Sequence, residues 1–463
     1  MEAAHFDSID PATGGLLDTY EIFDDTRLDA ALVTATTAYR SFRRSPPVER
    51  AVLLNRVARE MRAAAEELAR TVSSEMGKPI VEARAEVEKC AWAAEYYAEN
   101  AEHFLAPESI DTGDGRRVAV HKRPLGVILA IMPWNYPLWQ VIRAAAPIIA
   151  AGNCFLLKHA PNVTGCGFAL QRVFERAGAA AGVFTAVVTS NRQAEQLIAD
   201  RRIAAVTLTG SVNAGTAVGG AAGRAIKPAV LELGGSDPFI VLADADLDRA
   251  VVVAVAARFQ NAGQSCVAAK RFIVVEAIAK EFEERIAAAV KALRRGAPLD
   301  PETQLGPMAR EDLRDELAGI VDASVTAGAR LVVGGEVPDE PGAWYEATVV
   351  SADGGSRVPV MREETFGPVA AVARVADETA AVALANDSEF GLSSSIWTED
   401  LERAEQLAAD IEAGMVFVNA MTASDPRIPF GGVKRSGIGR ELGGEFGMRA
   451  FLNMQSVVLD DRP

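Results

Sequence analysis

The chain reads as an α/β protein built from two doubly wound units, and three observations predict it. From Val127 to Leu208, short runs of β-branched and bulky apolar residues alternate with helix-like segments. Such βα alternation gives a parallel sheet with helices on both faces. A second series of the same texture begins after Gly235. The length, 463 residues of which 49% are hydrophobic, exceeds what one core normally organises.

Along the chain, 26–100 is rich in Ala, Glu, Arg and Leu, and in 48–61 and 83–101 apolar residues recur at helical spacing, which predicts a helical N-terminal region. Strands are expected at 127–131, 154–157, 186–188 and 205–208, each followed by a helix. The second series predicts a strand over 238–242, a helix over 247–260, a strand over 271–275 and a helix over 278–295. Later strands are expected at 330–333, 393–397 and 415–419. The Gly-rich stretch 431–437 interrupts this series, and the tail 451–459 has the pattern of a strand that docks on another element or subunit. There is no internal repeat and no long low-complexity linker.

Composition excludes several classes. The net charge of −16 argues against a nucleic-acid or anionic-membrane partner, while leaving room for a local basic pocket around a phosphate. Cys90, Cys154, Cys166 and Cys266 show no CxxC spacing, so neither a disulfide framework nor a zinc site is expected, and a reducing cytoplasm fits best. The start, Met1 to Asp7, lacks the basic and apolar regions of a signal peptide, and no apolar run reaches the roughly 18 residues of a membrane span. The four histidines are scattered without ligand spacing, so no metal is expected.

Chemistry is concentrated in a few strings. Cys266 closes Gly263-Gln264-Ser265-Cys266, and Glu232 opens Glu232-Leu233-Gly234-Gly235. A thiol attacks as its thiolate and needs a base or a positive field, so the pair points to covalent catalysis, against the plainer reading of an inert thiol and a capping carboxylate. Thr209-Gly210-Ser211 joins a strand to a helix, the arrangement whose unpaired N–H groups hold a phosphate, although an ordinary βα turn reads the same way. Pro133-Trp134-Asn135 ends the strand at 127–131, where open α/β sheets bind ligands, and an Asn amide there can donate to an oxygen that gains charge. Lys158 ends the neighbouring strand and brings a cation to the same edge.

Together with Glu364-Thr365-Phe366-Gly367-Pro368 and Phe430-Gly431-Gly432, these strings resemble, in order and over nearly the whole chain, the NAD(P)-dependent aldehyde dehydrogenase superfamily. The resemblance implies a Rossmann-like cofactor domain (1–105 and 125–236), a second α/β catalytic domain (237–450) and a small oligomerisation element (106–124 and 451–463). It implies Cys266 as nucleophile, Glu232 as general base, and Asn135 with the Cys266 N–H as oxyanion hole. Trp134, Lys158, Gly210, Ser211, Leu233, Glu364 and Phe366 are the implied cofactor contacts. The implied reaction is thiolate attack on an aldehyde, loss of hydride to the nicotinamide to leave a thioester, and hydrolysis to the acid by water that Glu232 activates.

Two further strings, 139–143 and 157–162, with the tail 419–427, resemble bacterial succinate-semialdehyde dehydrogenases. That similarity implies Arg143 and Ser424 as contacts to a substrate carboxylate, for which a guanidinium is well suited. Pro161 departs from the family: it stands where NAD users carry a glutamate and several NADP users a serine. NAD is therefore expected with slight preference and NADP tolerated. Val267-Ala268 also departs, leaving no second cysteine beside Cys266. The expected protein is a cytoplasmic homodimer or homotetramer that binds a small aldehyde and neither nucleic acid nor membrane. The alternatives are a dehydrogenase for another short semialdehyde or aliphatic aldehyde, a cysteine thioester hydrolase, and a non-catalytic binding relative. A CoA-acylating enzyme would not need Glu232.

Overall fold

The computed structural model describes residues 4–352 and 355–460. The first and last three residues of the domain ranges expected above lie outside it.

Two parallel sheets organise the molecule. In the first, the order across the sheet is Gly437–Ile438, Ala229–Glu232, Ile203–Thr209, Val127–Met132, Cys154–His159 and Phe184–Val187. All neighbours are parallel except Gly437–Ile438, which is antiparallel to Ala229–Glu232. The chain enters in the middle at Val127–Met132, builds outward in one direction, then returns to add Ile203–Thr209 on the other side. That reversal opens a crevice beyond the C-terminal ends of these two strands, the usual ligand position in such sheets. Helices Pro47–Ala63, Ala65–Met76 and Ile80–Phe104 bury Leu54, Val57, Met61, Val72 and Val87 in one core with Ile128, Leu129 and Leu156 of the sheet.

The second sheet runs Arg330–Val333, Thr348–Ser351, Val369–Val375, Ala269–Val275, Asp237–Val241, Ser393–Trp397 and Met415–Val418, with only the first strand antiparallel to its neighbour. Strand period two sends Phe239, Phe272 and Trp397 to one face and Ile240, Ile273 and Ile396 to the other. Both sets are buried, the first under helices Leu247–Phe259 and Glu276–Lys291, the second under Glu378–Asn386 and Leu401–Asp410. This two-sided burial explains the continuous rather than alternating apolar texture of these strands.

The predicted elements recur with boundaries shifted by a few residues, and the structure adds strands the sequence reading did not place. One is a hairpin, His5–Ile9 with Leu16–Glu21, whose mostly exposed and polar residues carry no buried face to give it away. Another is Val369–Val375, whose alanines are poor strand formers, yet it lies inside the second sheet. Leu452–Leu459 pairs with Arg117–Pro124, which pairs with Glu108–Ile110, in a small antiparallel sheet.

Candidate active site

The sheet crevice holds a cavity of about 480 Å³, lined among others by Trp134, Asn135, Gly210, Ser211, Leu233, Glu364 and Phe366. Helix Val212–Arg224 starts there because Ser211 caps it, its hydroxyl accepting from the Ala214 N–H at 3.3 Å. The positive end of this helix therefore faces the cavity. A Cβ on Gly215 would meet the Leu233 methyls at 2.5 Å, so glycine there lets Leu233 sit against the helix start. Across the cavity Trp134 and Phe366 meet edge to face, centroids 5.6 Å apart. Size, aromatic walls and helix terminus fit a dinucleotide. Lys158 and Pro161 are not in this wall. Lys158 is buried rather than solvated, and burial lowers its ammonium pKa; Pro161 starts a single 3-10 turn, Pro161–Val163.

Cys266 ends a loop of unusual backbone. Asn261 (φ 57°), Ala262 (φ 51°) and Gly263 (φ 70°) are consecutively left-handed, which is unfavourable for the first two by about 1–3 kcal/mol each. Partners from elsewhere hold the turn. Glu82 accepts the Asn261 N–H at 2.8 Å, the Asn261 side-chain amide donates to the Asn135 carbonyl at 2.8 Å, and the Ala309 N–H donates to Gln264 Oε1 at 2.9 Å. Asn135 donates from Nδ2 to the Gln264 carbonyl at 3.0 Å, and its amide carries a second hydrogen. Just past the thiol, Lys270 Nζ donates to the carbonyls of Ser265 and Cys266 at 2.8 and 2.7 Å and faces Glu364 at 3.4 Å. Burial pushes the Cys266 thiol up to about 11, opposed by the positive charges of Arg143 and Lys270.

On the other side of Cys266 lies a second cavity of about 140 Å³, whose wall includes Lys89, Trp139, Arg143 and Ser424. Cys266 and Gln140 are the two residues common to both cavity walls. Arg143 is not on a helix surface. It is 1% exposed, its Nε lies 2.7 Å from Glu441, and it donates to Thr209 Oγ1 at 3.1 Å.

Glu232 stands in neither wall. Its strand pairs with Gly437, and the Ser436 hydroxyl donates to the Gly234 carbonyl at 2.7 Å, fixing the segment that carries it. The side chain points at Gly431, where a Cβ would lie 2.6 Å from its Oε1, which accounts for glycine in that motif. Both carboxylate oxygens are buried without a hydrogen-bond partner. Burial first, and the neighbouring Glu441 second, hold this carboxyl well above the usual range, against the pull of Arg143 and Arg440. Burial in this position therefore favours the neutral carboxylic acid over the carboxylate.

The structure thus brings together Cys266, Asn135, six of the eight expected cofactor contacts, Arg143 and Ser424. Sequence reasoning missed Lys89, Gln140 and Lys270, and also Arg258. Arg258 is wholly buried and donates to the Thr365 and Val369 carbonyls at 2.7 and 2.6 Å, anchoring the loop that presents Glu364 and Phe366. Among the described residues no cluster suits a metal ion, and no helix is long and apolar enough to cross a membrane.

Comparison with known proteins agrees with this geometry. Residues 1–457 match the model of the Aldehyde dehydrogenase family. The NAD(P)+ succinate semialdehyde dehydrogenase Sad of Escherichia coli strain K12 is 50% identical over 458 residues, covering 99% of this chain and 98% of that protein. A succinate-semialdehyde dehydrogenase (NADP+) of Mycobacterium avium strain 104 is 48% identical, covering 97% and 96%. The crystal structure of succinic semialdehyde dehydrogenase from Streptococcus pyogenes with NADP+ superposes with a TM-score of 0.95 at 37% identity, covering 98% of this chain and 99% of that one.

Proposed function

The chain belongs to the aldehyde dehydrogenase family and is an NAD(P)-dependent enzyme that oxidises aldehydes, and we propose that its substrate is succinate semialdehyde, converted to succinate through a thioester on Cys266. One observation carries the reading: the thiol forms part of the wall between a dinucleotide-sized cavity and a smaller one whose wall includes Lys89, Arg143 and Ser424. The Cys266 thiolate attacks the aldehyde carbon from the junction. Asn135 and the Cys266 N–H stabilise the resulting oxyanion. The larger cavity, with Trp134, Gly210, Ser211, Leu233, Glu364 and Phe366 in its wall, would hold the dinucleotide, whose nicotinamide would supply the hydride acceptor. Glu232, ionised and turned from Gly431 toward Cys266, takes a proton from water as that water attacks the thioester, releasing the acid and restoring the thiol. Arg143 and Ser424 line the end that receives the substrate carboxylate. A panel of short aldehydes assayed with each cofactor, followed by absorbance of the reduced nicotinamide, tests substrate and cofactor together. A preference for uncharged aldehydes would refute the substrate.

The burial of Arg143 sharpens one expectation. Removing it strands the buried Glu441 carboxylate beside Glu232, and breaking a buried pair in this way costs about 3–5 kcal/mol. Arg143→Ala is therefore expected to reduce kcat on charged and uncharged aldehydes alike, with an additional rise in KM for succinate semialdehyde. Steady-state kinetics on both substrates separates the two effects.

We also propose NAD as the slightly preferred cofactor, with Lys158 and Pro161 beside the adenosine ribose. Pro161→Glu should shift the ratio of kcat/KM toward NAD by on the order of tenfold, since a carboxylate accepts from ribose hydroxyls and repels a 2′-phosphate, and Pro161→Ser should shift it toward NADP. An unmoved ratio in both variants removes Pro161 from that site.

In the same reading, 1–105 with 125–236 form the cofactor domain, 237–450 the catalytic domain, and 106–124 with 451–463 a homo-oligomerisation element. The edge strand Leu452–Leu459 supports the last, since it exposes Met454, Val458 and Leu459 and an uncovered edge invites pairing with another chain. Four unpaired cysteines fit a cytoplasmic location.

A further inference from the structure

We propose that Lys89, together with the Ser424 hydroxyl it holds, acts beside Arg143 as a further cation that receives the carboxylate of the aldehyde substrate, and that it sets the preference for an anionic semialdehyde. The proposal rests on the substrate reading above and adds to it a residue from a different helix.

Lys89 belongs to helix Ile80–Phe104 and reaches into the wall of the 140 Å³ cavity. Its Nζ donates to Ser424 Oγ at 2.8 Å and lies 4.4 Å from the centroid of the Trp139 ring. The acids around it are committed elsewhere. Glu86, one turn earlier, pairs with Lys78 and accepts the N–H groups of Leu138 and Trp139, while Asp425 pairs with Arg427 at 2.6 Å. Among the described residues, no carboxylate lies within ion-pair distance of Lys89.

The other cation of the wall, Arg143, is neutralised by Glu441. Lys89 is thus the cation of this wall left without an ion-pair partner; Glu82 of the same wall accepts the Asn261 N–H, and burial pushes its carboxyl up to about 7. Burial lowers the Lys89 ammonium to about 8, with Arg143 acting in the same direction and Cys90, Glu86 and Asp425 only partly opposing it. A carboxylate entering the cavity supplies a counter-ion, and the Trp139 face and Ser424 hydroxyl keep the ammonium aimed at it.

The test compares kcat/KM for succinate semialdehyde with that for butanal, an uncharged aldehyde of equal chain length, in the wild-type enzyme and in K89M, K89Q and K89R. Inhibition by succinate of butanal oxidation is measured alongside. In the wild type the ratio should favour succinate semialdehyde. K89M and K89Q should lower it by tenfold or more and weaken succinate inhibition in parallel, and K89R should keep more of both. If K89M does not fold, K89Q carries the comparison. A wild-type preference for succinate semialdehyde that persists within about twofold in K89M or K89Q overturns the role of Lys89 and leaves the substrate reading standing. A wild type with no such preference overturns both.

Discussion

Cys266→Ser is expected to reduce aldehyde oxidation by roughly a thousandfold or more on every substrate while leaving dinucleotide binding intact. Two features of the site make the loss severe. A serine hydroxyl ionises far less readily than a thiol, and an ester does not substitute for the thioester in either half of the reaction. The environment also offers no rescue: it pushes even the thiol up to about 11 through burial, and the nearby cations only partly offset this. Single-turnover formation of reduced nicotinamide is the decisive measurement, because it isolates the step that needs the thiolate. Cofactor affinity, measured by quenching of protein fluorescence, controls for damage to the larger cavity. Near-normal single turnover by the serine variant would remove Cys266 from the nucleophile's role.

Glu232→Gln is the second large effect, on the order of a hundredfold or more in steady-state turnover, and it should also change the pH profile. Glu232 is buried with neither oxygen partnered, and its carboxyl is held well above the normal range. The carboxylate form, the one able to accept a proton from water, therefore gains as pH rises. Wild-type kcat should climb with pH above the usual carboxylate range, and the glutamine variant should lose that limb. The substitution is nearly isosteric, so the fold should persist. A burst of reduced cofactor followed by slow turnover would place Glu232 in thioester hydrolysis; loss of the burst itself would place it in making the thiolate as well. Turnover and pH profile both unchanged would refute either role.

Much of this arrangement was legible in the sequence because it is encoded locally. Thr209-Gly210-Ser211 reads as a turn from a strand into a helix, and Trp134 and Asn135 read as residues beyond a strand's end; the crevice follows once those strands are adjacent. What was illegible is encoded at a distance. Lys89 sits in a helix rich in Ala and Glu and reads like a solvent-facing lysine. It becomes cavity wall because that helix packs against the segment carrying Trp139 and a loop 335 residues away. The Arg143–Glu441 pair likewise joins a helix to a two-residue strand, Glu441–Leu442, that no periodicity announces. The exclusion of Glu232 from both cavity walls is a matter of side-chain direction, which spacing does not fix.

The left-handed turn at Asn261, Ala262 and Gly263 has one consequence for the protein as an assembly. Cys266 is carried by the chain segment that feeds the second sheet, but several of the bonds that hold its loop come from Glu82 and Asn135, which belong with the first. A fragment comprising only the second sheet and its helices would contain every atom of the nucleophile but would lack the Glu82 and Asn135 bonds that fix Asn261 and Gln264. Such a loop would relax toward ordinary right-handed or extended geometry and turn the thiol away from its partners. The reactive centre is in this sense jointly owned, and its geometry exists only while the two halves stay docked.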